Sequence, residues 1–329
     1  MLSMRSVIAV VAGGYSGEYE VSLRSAANIM RSIDQALFEP YLVLIGKKAW
    51  QVRIGDSYYP IDKNDFSFEE EGVKRRFSYA FITLHGTPGE NGLLQGYLDM
   101  LQIPYNTGGV LTEALTFDKY CCNRYLSTFG IRTAQSVRLL AREVYDIESI
   151  AREITLPCFV KPNVGGSSIA TSKVTDKEQL QPAIERAFQE APEVMVERMI
   201  VGTEVTCGCY IVGGIAHALP VTEVVVHDVE FFDYEAKYLG KSDEITPARI
   251  PDEQTQQIQQ LTKDIARYIQ ANGIIRVDYI IEADGRPTLL EVNTTPGMTD
   301  ASFIPQQVRA AQMELSNLFT EIIQDKLQK

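Results

Sequence analysis

Two hydrophobic periods alternate along this 329-residue chain, and each change of period predicts an element boundary. Residues 7–12 are a continuous apolar run of strand length. Across residues 22–33 the spacing lengthens to three and four, which puts Leu23, Ala26, Ala27, Met30 and Ile33 on one side of a helix that follows a Gly13-Gly14 turn. Residues 41–45 and 79–84 read as the next strands. That strand-helix-strand order predicts an open, mostly parallel α/β sheet ending near Gly108-Gly109. A helix over 111–129 opens a second section, followed by a strand over 158–161, a polar glycine-containing loop over 163–168, a helix over 176–188 and a strand over 194–197. The last section has strands over 204–212 and 218–226, then a polar loop to about residue 246. Its helix, over 252–271, is capped by Asp252 and stopped at Asn272-Gly273.

The period-2 pattern carries chemistry nearest the C-terminus. Asp284-Gly285 separates two alternating stretches and reads as a two-residue hairpin loop, which sets Asp278 opposite Glu291 and Arg276 opposite Asn293. Alternation sends those four side chains to one face, and Val277, Tyr279, Leu290 and Val292 to the core face. Carboxylates opposed at about 5 Å repel by roughly 3 kcal/mol at an effective dielectric near 20, so the pair needs a proton or a cation. Two carboxylates and an amide oxygen suit hard Mg²⁺, whereas a solvated face neutralised by Arg276 is the other reading.

Composition then works by exclusion. A formal net charge of -12 argues against non-specific binding to nucleic acid or anionic membrane, and an anionic ligand must be met by locally placed lysines. The five cysteines, at 121, 122, 158, 207 and 209, are odd in number and lack a secreted-domain spacing, which fits a reducing cytoplasm. Cys207 and Cys209 read as core thiols, because no matching Cys/His set follows them. The apolar run after Arg5 is shorter than a signal-peptide core, and no stretch approaches the length of a membrane span.

Several loops fall where open α/β sheets place ligands. Gly13-Gly14-Tyr15-Ser16-Gly17-Glu18 joins strand to helix, but Glu18 would repel phosphate and suits an ammonium group, or simply favours the helix N-terminus. Lys161 to Ser168 follows a strand with small residues that let backbone N–H groups approach an anion, and Lys119 and Lys161 have the reach to meet phosphates. Glu197, Arg198 and the Ile200 backbone precede a Gly202-Thr203-Glu204 turn, a segment able to read an adenine amino group and ribose hydroxyls or to be an exposed charged turn. His85 ends a strand, while Lys237 and Tyr238 lie in the polar loop. His217 and His227 have no motif context.

Taken in order, these segments resemble the D-alanine:D-alanine ligase family, ATP-grasp enzymes of bacterial peptidoglycan synthesis. The likeness rests on GGYSGEYEVS at 13–22, LHGTPGENG at 84–92, FDK at 117–119, VKPNVGGSS at 160–168, VERMIVGTE at 196–204, DYEAKY at 233–238, RVD at 276–278 and EVNTTPGMTDAS at 291–302. The resemblance implies an N-terminal open parallel sheet domain over 1–107, then an ATP-grasp fold of two α+β subdomains over 108–196 and 197–329.

It implies that Glu18 holds the ammonium of the first D-alanine and connects through Ser167 to Tyr238. Lys119 and Lys161 would touch ATP phosphates, Glu197, Arg198 and Ile200 the adenine, and Glu204 the ribose. Asp278, Glu291 and Asn293 would hold two Mg²⁺ or Mn²⁺ ions. Arg276 and the Gly297 amide would face the oxyanion, Ser302 the second substrate's carboxylate, and His85 and Lys237 would complete the substrate site. The expected reaction joins two D-alanines through a D-alanyl phosphate, with residues 226–246 closing over the site. A cytoplasmic homodimer is expected, with no nucleic-acid or membrane partner.

Four positions depart from the commonest family pattern. Tyr19 stands where histidine or arginine is common, Gly165-Gly166 replace a bulkier pair, and Phe303 replaces leucine or methionine beside the acceptor site. In this family a tyrosine matching Tyr238 goes with dipeptide synthesis and its replacement with D-lactate use. Ligation to a hydroxy acid, or an inactive ATP-binding regulator on the same fold, are the rival readings.

Overall fold

The computed structural model describes residues 5–166, 170–226 and 242–328, and within them the chain forms three sheets in sequence order. The first contains β1 (Ser6–Gly13), β2 (Phe38–Ile45), β3 (Trp50–Ile54), β4 (Ser57–Asp62), β5 (Ser67–Glu70), β6 (Val73–Arg76) and β7 (Tyr79–Ile82). Their spatial order is β6-β5-β4-β3-β2-β1-β7. Only β2-β1-β7 is parallel, so the expected mostly parallel sheet is in fact mixed, extended by an antiparallel meander from β2 to β6. The meander turns at Gly55 and at Glu71-Gly72, all with positive φ, the geometry that tight hairpin turns require.

β1 reads as continuously apolar because both its faces are covered. Ile8, Val10 and Ala12 share a core with helix Tyr19–Ser32 and with the chain's last two helices, Phe303–Ala310 and Leu315–Leu327. Ala9 and Val11 join the aromatics of the meander and helix Leu93–Met100 on the other face. The C-terminal helices therefore complete the first sheet's core.

The second sheet, β8 (Ser136–Leu140), β9 (Cys158–Pro162), β10 (Ser172–Val174) and β11 (Glu193–Arg198), has the order β10-β9-β11-β8. Helices Ile147–Ile154 and Leu180–Glu190 share its core. Before it, the single helix expected over 111–129 is two, Val110–Phe117 and Lys119–Ser127. Asp118 breaks the run: its backbone is extended and its Oδ1 accepts from the Cys121 amide at 2.8 Å, capping the second helix.

The third sheet contains β12 (Thr203–Val212), β13 (Ile215–Ala218), β14 (Thr222–Val226), β15 (Ser242–Ile245), β16 (Gly273–Ile281) and β17 (Pro287–Asn293). Its order is β15-β14-β12-β16-β17, with β13 also on β12. The strand expected over 218–226 divides at Leu219-Pro220-Val221, since a proline cannot donate to the ladder. Helix Asp252–Tyr268 covers the core face, with Asp252 its first residue rather than its cap, which is Pro251. Cys207 and Cys209 are buried there as free thiols, both pushed up to about 12 by burial. Gly273 cannot be replaced: its φ is +64° and an added Cβ would lie 1.5 Å from the Asn106 carbonyl oxygen.

The C-terminal hairpin carries two compensating irregularities. Glu282 N–H bonds Arg286 O at 3.1 Å and Gly285 N–H bonds Glu282 O at 2.9 Å, so the loop is three residues long and the pairs next to it shift by one. A bulge between Asp278 and Tyr279 takes up the shift, and beyond it Asp278 pairs with Glu291 and Arg276 with Asn293. Tyr279 consequently meets Leu289, and Leu289 joins the core in place of the expected Leu290.

Candidate functional site

A cavity of about 370 Å³ is walled by strands of the third sheet together with helix Tyr19–Ser32, the helices around Asp118 and the loops that follow β7 and β9. Glu18, His85, Lys119 and Arg276 line it, as do Glu291, Asn293, Gly297 and Ser302, residues drawn from sequence separations of up to 284. Each is aimed there for a local reason. Glu18 opens helix Tyr19–Ser32 at the end of the β1 turn, close enough to the glycine loop that a Cβ on Gly166 would come within 2.8 Å of its Oε2. The Asp118 break makes Lys119 the first residue of its helix, and its ammonium donates to Gly165 O at 2.6 Å. Buried Asn163 fixes that junction, accepting from the Tyr120 amide at 2.9 Å and donating to Glu193 at 3.2 Å. Burial lowers the Lys119 pKa, against the pull of Glu291.

Ser302 immediately precedes helix Phe303–Ala310, whose N-terminal end borders the cavity. Its Oγ turns back into the loop, accepting from the Thr299 amide at 3.1 Å and lying 3.0 Å from where a Cβ on Gly297 would sit. Fully buried Gln307 pins that helix to the third sheet, accepting from Gly208 N at 2.9 Å and donating to Thr206 O at 3.1 Å.

On the hairpin face, Arg276 binds Asp278 at two points, Nε to Oδ1 at 2.9 Å and Nη2 to Oδ2 at 2.8 Å, and stands 3.8 Å from Glu291. Its guanidinium lies over the Phe303 ring, 5.3 Å from the centroid, so the unusual Phe303 supports Arg276. Thr206 Oγ1 also donates to Asp278. The donor chemistry fits a hard divalent cation: the register puts Asp278 beside Glu291, and Asn293 one pair along on the same face, with oxygen donors throughout. Among the described residues no group of three His, Cys, Asp or Glu side chains has metal-binding geometry.

The residues assigned to the nucleotide form a second group on β9, β11 and β12. Lys161 pairs with Glu197 across adjacent strands, both largely buried, and removing one member of such a pair costs about 3–5 kcal/mol. Ile200 is buried, Arg198 turns to Glu282 at 3.7 Å, and Glu204 lies opposite Ile280 on β12. None of these five lines the cavity, and neither does Asp278, which lies behind Arg276. Ser167, Ser168, His227, Lys237 and Tyr238, with most of the 226–246 loop, lie outside the described residues. His217 stacks on Tyr210 with ring centroids 4.9 Å apart.

Three acidic residues were not singled out by sequence pattern. Glu90 faces buried His85, Oε1 to Nδ1 at 3.8 Å, and takes the Gly86 amide on Oε2 at 2.7 Å. Burial disfavours a charged His85, but Glu90 and then Glu18 outweigh it and the pKa is raised. Glu113 is fully buried, accepts from Thr294 Oγ1 at 2.6 Å, and is held well above the carboxylate range by burial. Glu244, on the cavity wall, is also raised by burial and takes a hydrogen bond from Gln306. Glu90 lies within LHGTPGENG at 84–92, whereas Glu113 and Glu244 carry no local signal.

The family model described as D-ala D-ala ligase N-terminus matches residues 7–108, and the one described as D-ala D-ala ligase C-terminus matches 126–324. The D-alanine–D-alanine ligase of Porphyromonas gingivalis strain W83 is 60% identical over 325 residues, 98% of each chain. Among solved structures, the VanG D-Ala:D-Ser ligase of Enterococcus faecalis is similar with a TM-score of 0.86 at 30% identity, covering 98% of this chain and 100% of that one. The D-alanine–D-alanine ligase of Bacillus anthracis complexed with ATP gives 0.79 at 28% identity, with 98% of each chain covered. With matching models at both ends and a relative of this identity along almost its whole length, the chain belongs to the D-alanine–D-alanine ligase family.

Proposed function

We propose that this chain joins two D-alanines into D-alanyl-D-alanine at the expense of ATP. The observation that supports the reading is one cavity lined by Glu18, a carboxylate suited to an ammonium group, by Lys119, a lysine suited to a phosphate, and by Arg276 and Gly297, whose guanidinium and amide suit an oxyanion. A carboxylate is a poor acyl donor, because oxide is a poor leaving group. Transfer of the γ-phosphoryl group of ATP to one carboxylate oxygen of the first D-alanine releases ADP and gives an acyl phosphate. The neutral amine of the second D-alanine then attacks the carbonyl carbon, phosphate departs with the C–O bond electrons, and the amine loses its proton.

In this scheme Glu18 fixes the first substrate by its ammonium and Lys119 spreads charge on the transferring group. Arg276 and Gly297 N–H face the tetrahedral oxygen, and Ser302 with its helix N-terminus faces the second carboxylate. The Lys161–Glu197 group takes the nucleotide, with Arg198, Ile200 and Glu204 alongside. Asp278, Glu291 and Asn293 would hold Mg²⁺ or Mn²⁺, which when bound supplies charge neutralisation at the phosphates. Ser167, Lys237 and Tyr238 belong to the closing side of the site. The division at 107 and 196, the cytoplasmic location and the homodimer are part of the same reading. Among the described residues no helix is long and apolar enough to cross a membrane.

A relative that is a D-Ala:D-Ser ligase makes the acceptor the point to test. Purified protein with ATP, Mg²⁺ and equal D-alanine, D-serine and D-lactate should release ADP only when D-alanine is present, and mass spectrometry should find mainly the D-alanine dipeptide. Predominant depsipeptide or D-Ala-D-Ser would reject the acceptor, and ADP release indifferent to D-alanine would reject the ligase reading.

A further inference from the structure

We propose that Arg24 receives the carboxylate of the second amino acid at the mouth of the cavity, making it an acceptor-positioning residue alongside Ser302. The inference rests on the dipeptide-forming reading above. Helix Tyr19–Ser32 presents Val21 and Arg24 to the cavity at a spacing of three, following Glu18, so one helix face runs from the first ammonium site outward to solvent. Arg24 is exposed at that outer end.

The same helix is clamped to the loop that carries Ser302. Asn28 donates to Met298 O at 2.7 Å, the Met298 amide donates to Ser25 Oγ at 3.1 Å, and Arg31 pairs with Asp300 at 3.2 Å. Arg24 lies one turn before Asn28 and shares the cavity wall with Thr299, Ala301 and Ser302. Two secondary elements thus bring a guanidinium and a serine hydroxyl to one rim.

Charge makes the assignment specific. Glu18, Glu90, Glu244 and Glu291 give the wall four carboxylates, against Arg24, Lys119 and Arg276. Arg276 is committed to Asp278 by two hydrogen bonds, and Lys119 donates to Gly165 O. Among the described residues the Arg24 side chain has neither a hydrogen bond nor an ion pair, although its backbone is part of the helix. An amino acid entering an acidic cavity with its amine leading trails its carboxylate at the mouth, where the planar guanidinium fork matches it.

The test compares acceptors with and without that carboxylate. Full-length wild type, Arg24→Ala and Arg24→Lys are given ATP, Mg²⁺ and D-alanine as donor, with D-alanine or D-alaninamide as acceptor, and both products are quantified by mass spectrometry. Arg24→Ala should raise the acceptor KM for D-alanine by roughly 5–20-fold, with the donor KM unchanged and D-alaninamide use altered less than about twofold. Arg24→Lys should recover part of the loss. An equal loss for both acceptors, a shift in the donor KM, or no change would overturn the proposal. A wild type forming neither product would overturn the dipeptide-forming reading and the proposal with it, whereas a selective failure of the variants' acceptor signature overturns the proposal alone.

Discussion

Arg276 and Asp278, two residues apart on one face of β16, form a two-point clamp that sits 3.8 Å from Glu291 on the facing strand. The bulge beside Asp278 restores the register that makes this cluster possible, so the same irregularity that sends Leu289 into the core also assembles the acidic face. Glu291 is the more exposed of the two acids, 35% against 14% for Asp278, and is the easier for an incoming cation to reach.

Glu291→Gln keeps the shape and removes one of the two negative charges proposed to hold the divalent cation. Thermal unfolding should change little, while Mg²⁺-dependent ADP release should fall by roughly 10²-fold, with a higher Mg²⁺ requirement. A Mg²⁺ titration indistinguishable from wild type would sink the metal assignment.

Glu18→Gln should raise the KM of the first D-alanine about tenfold and leave the ATP KM nearly unchanged, because the lost charge is the one proposed to hold an ammonium group. Gly166→Ala should move the same constant, since the added methyl would press on Glu18 Oε2. Equal effects on D-alanine and ATP would take Glu18 out of the amino-acid site.

The pairing of Asp278 with Glu291 is legible in the sequence because strand alternation and an Asp-Gly turn fix a register. The three-residue loop and the bulge are not legible, because each alone shifts the pairs by one and together they cancel where the pattern is strongest. The antiparallel meander escapes for a different reason: its strands are short and partly polar, although positive-φ turns at Gly55 and Glu71-Gly72 mark it. Lys119 depends on a helix break that a continuous apolar period hides. Glu113 looks like an ordinary helix glutamate until the fold seals it beneath Thr294.

His85 supplies a pH signature. Its raised pKa means that its contribution to stability is fully present below the ordinary histidine value and is lost as pH rises through the folded one. Glu90→Gln removes the charge that outweighs burial, while its amide oxygen still serves Gly86. The melting temperature of the variant should lie further below wild type at pH 6 than at pH 9. A gap independent of pH would show that the His85–Glu90 charges do not interact.

Glu113 makes the complementary case, a carboxyl whose pKa burial raises. Because its folded pKa lies above the unfolded one, the folded state is favoured fully below the ordinary carboxylate range and loses that advantage as pH climbs through the raised value. Glu113→Gln retains the carbonyl that accepts from Thr294 and cannot ionise. At pH 5 the two proteins should melt within about 2 °C of each other, and with increasing pH the wild type should fall progressively below the variant. Thr294 follows Asn293 directly, so the alkaline loss should be accompanied by a weaker Mg²⁺ response in the wild type and not in the variant. Parallel melting curves from pH 5 to 9 would mean that Glu113 stays in one protonation state throughout, and a Mg²⁺ response unchanged in both would separate this buried carboxyl from the acidic face.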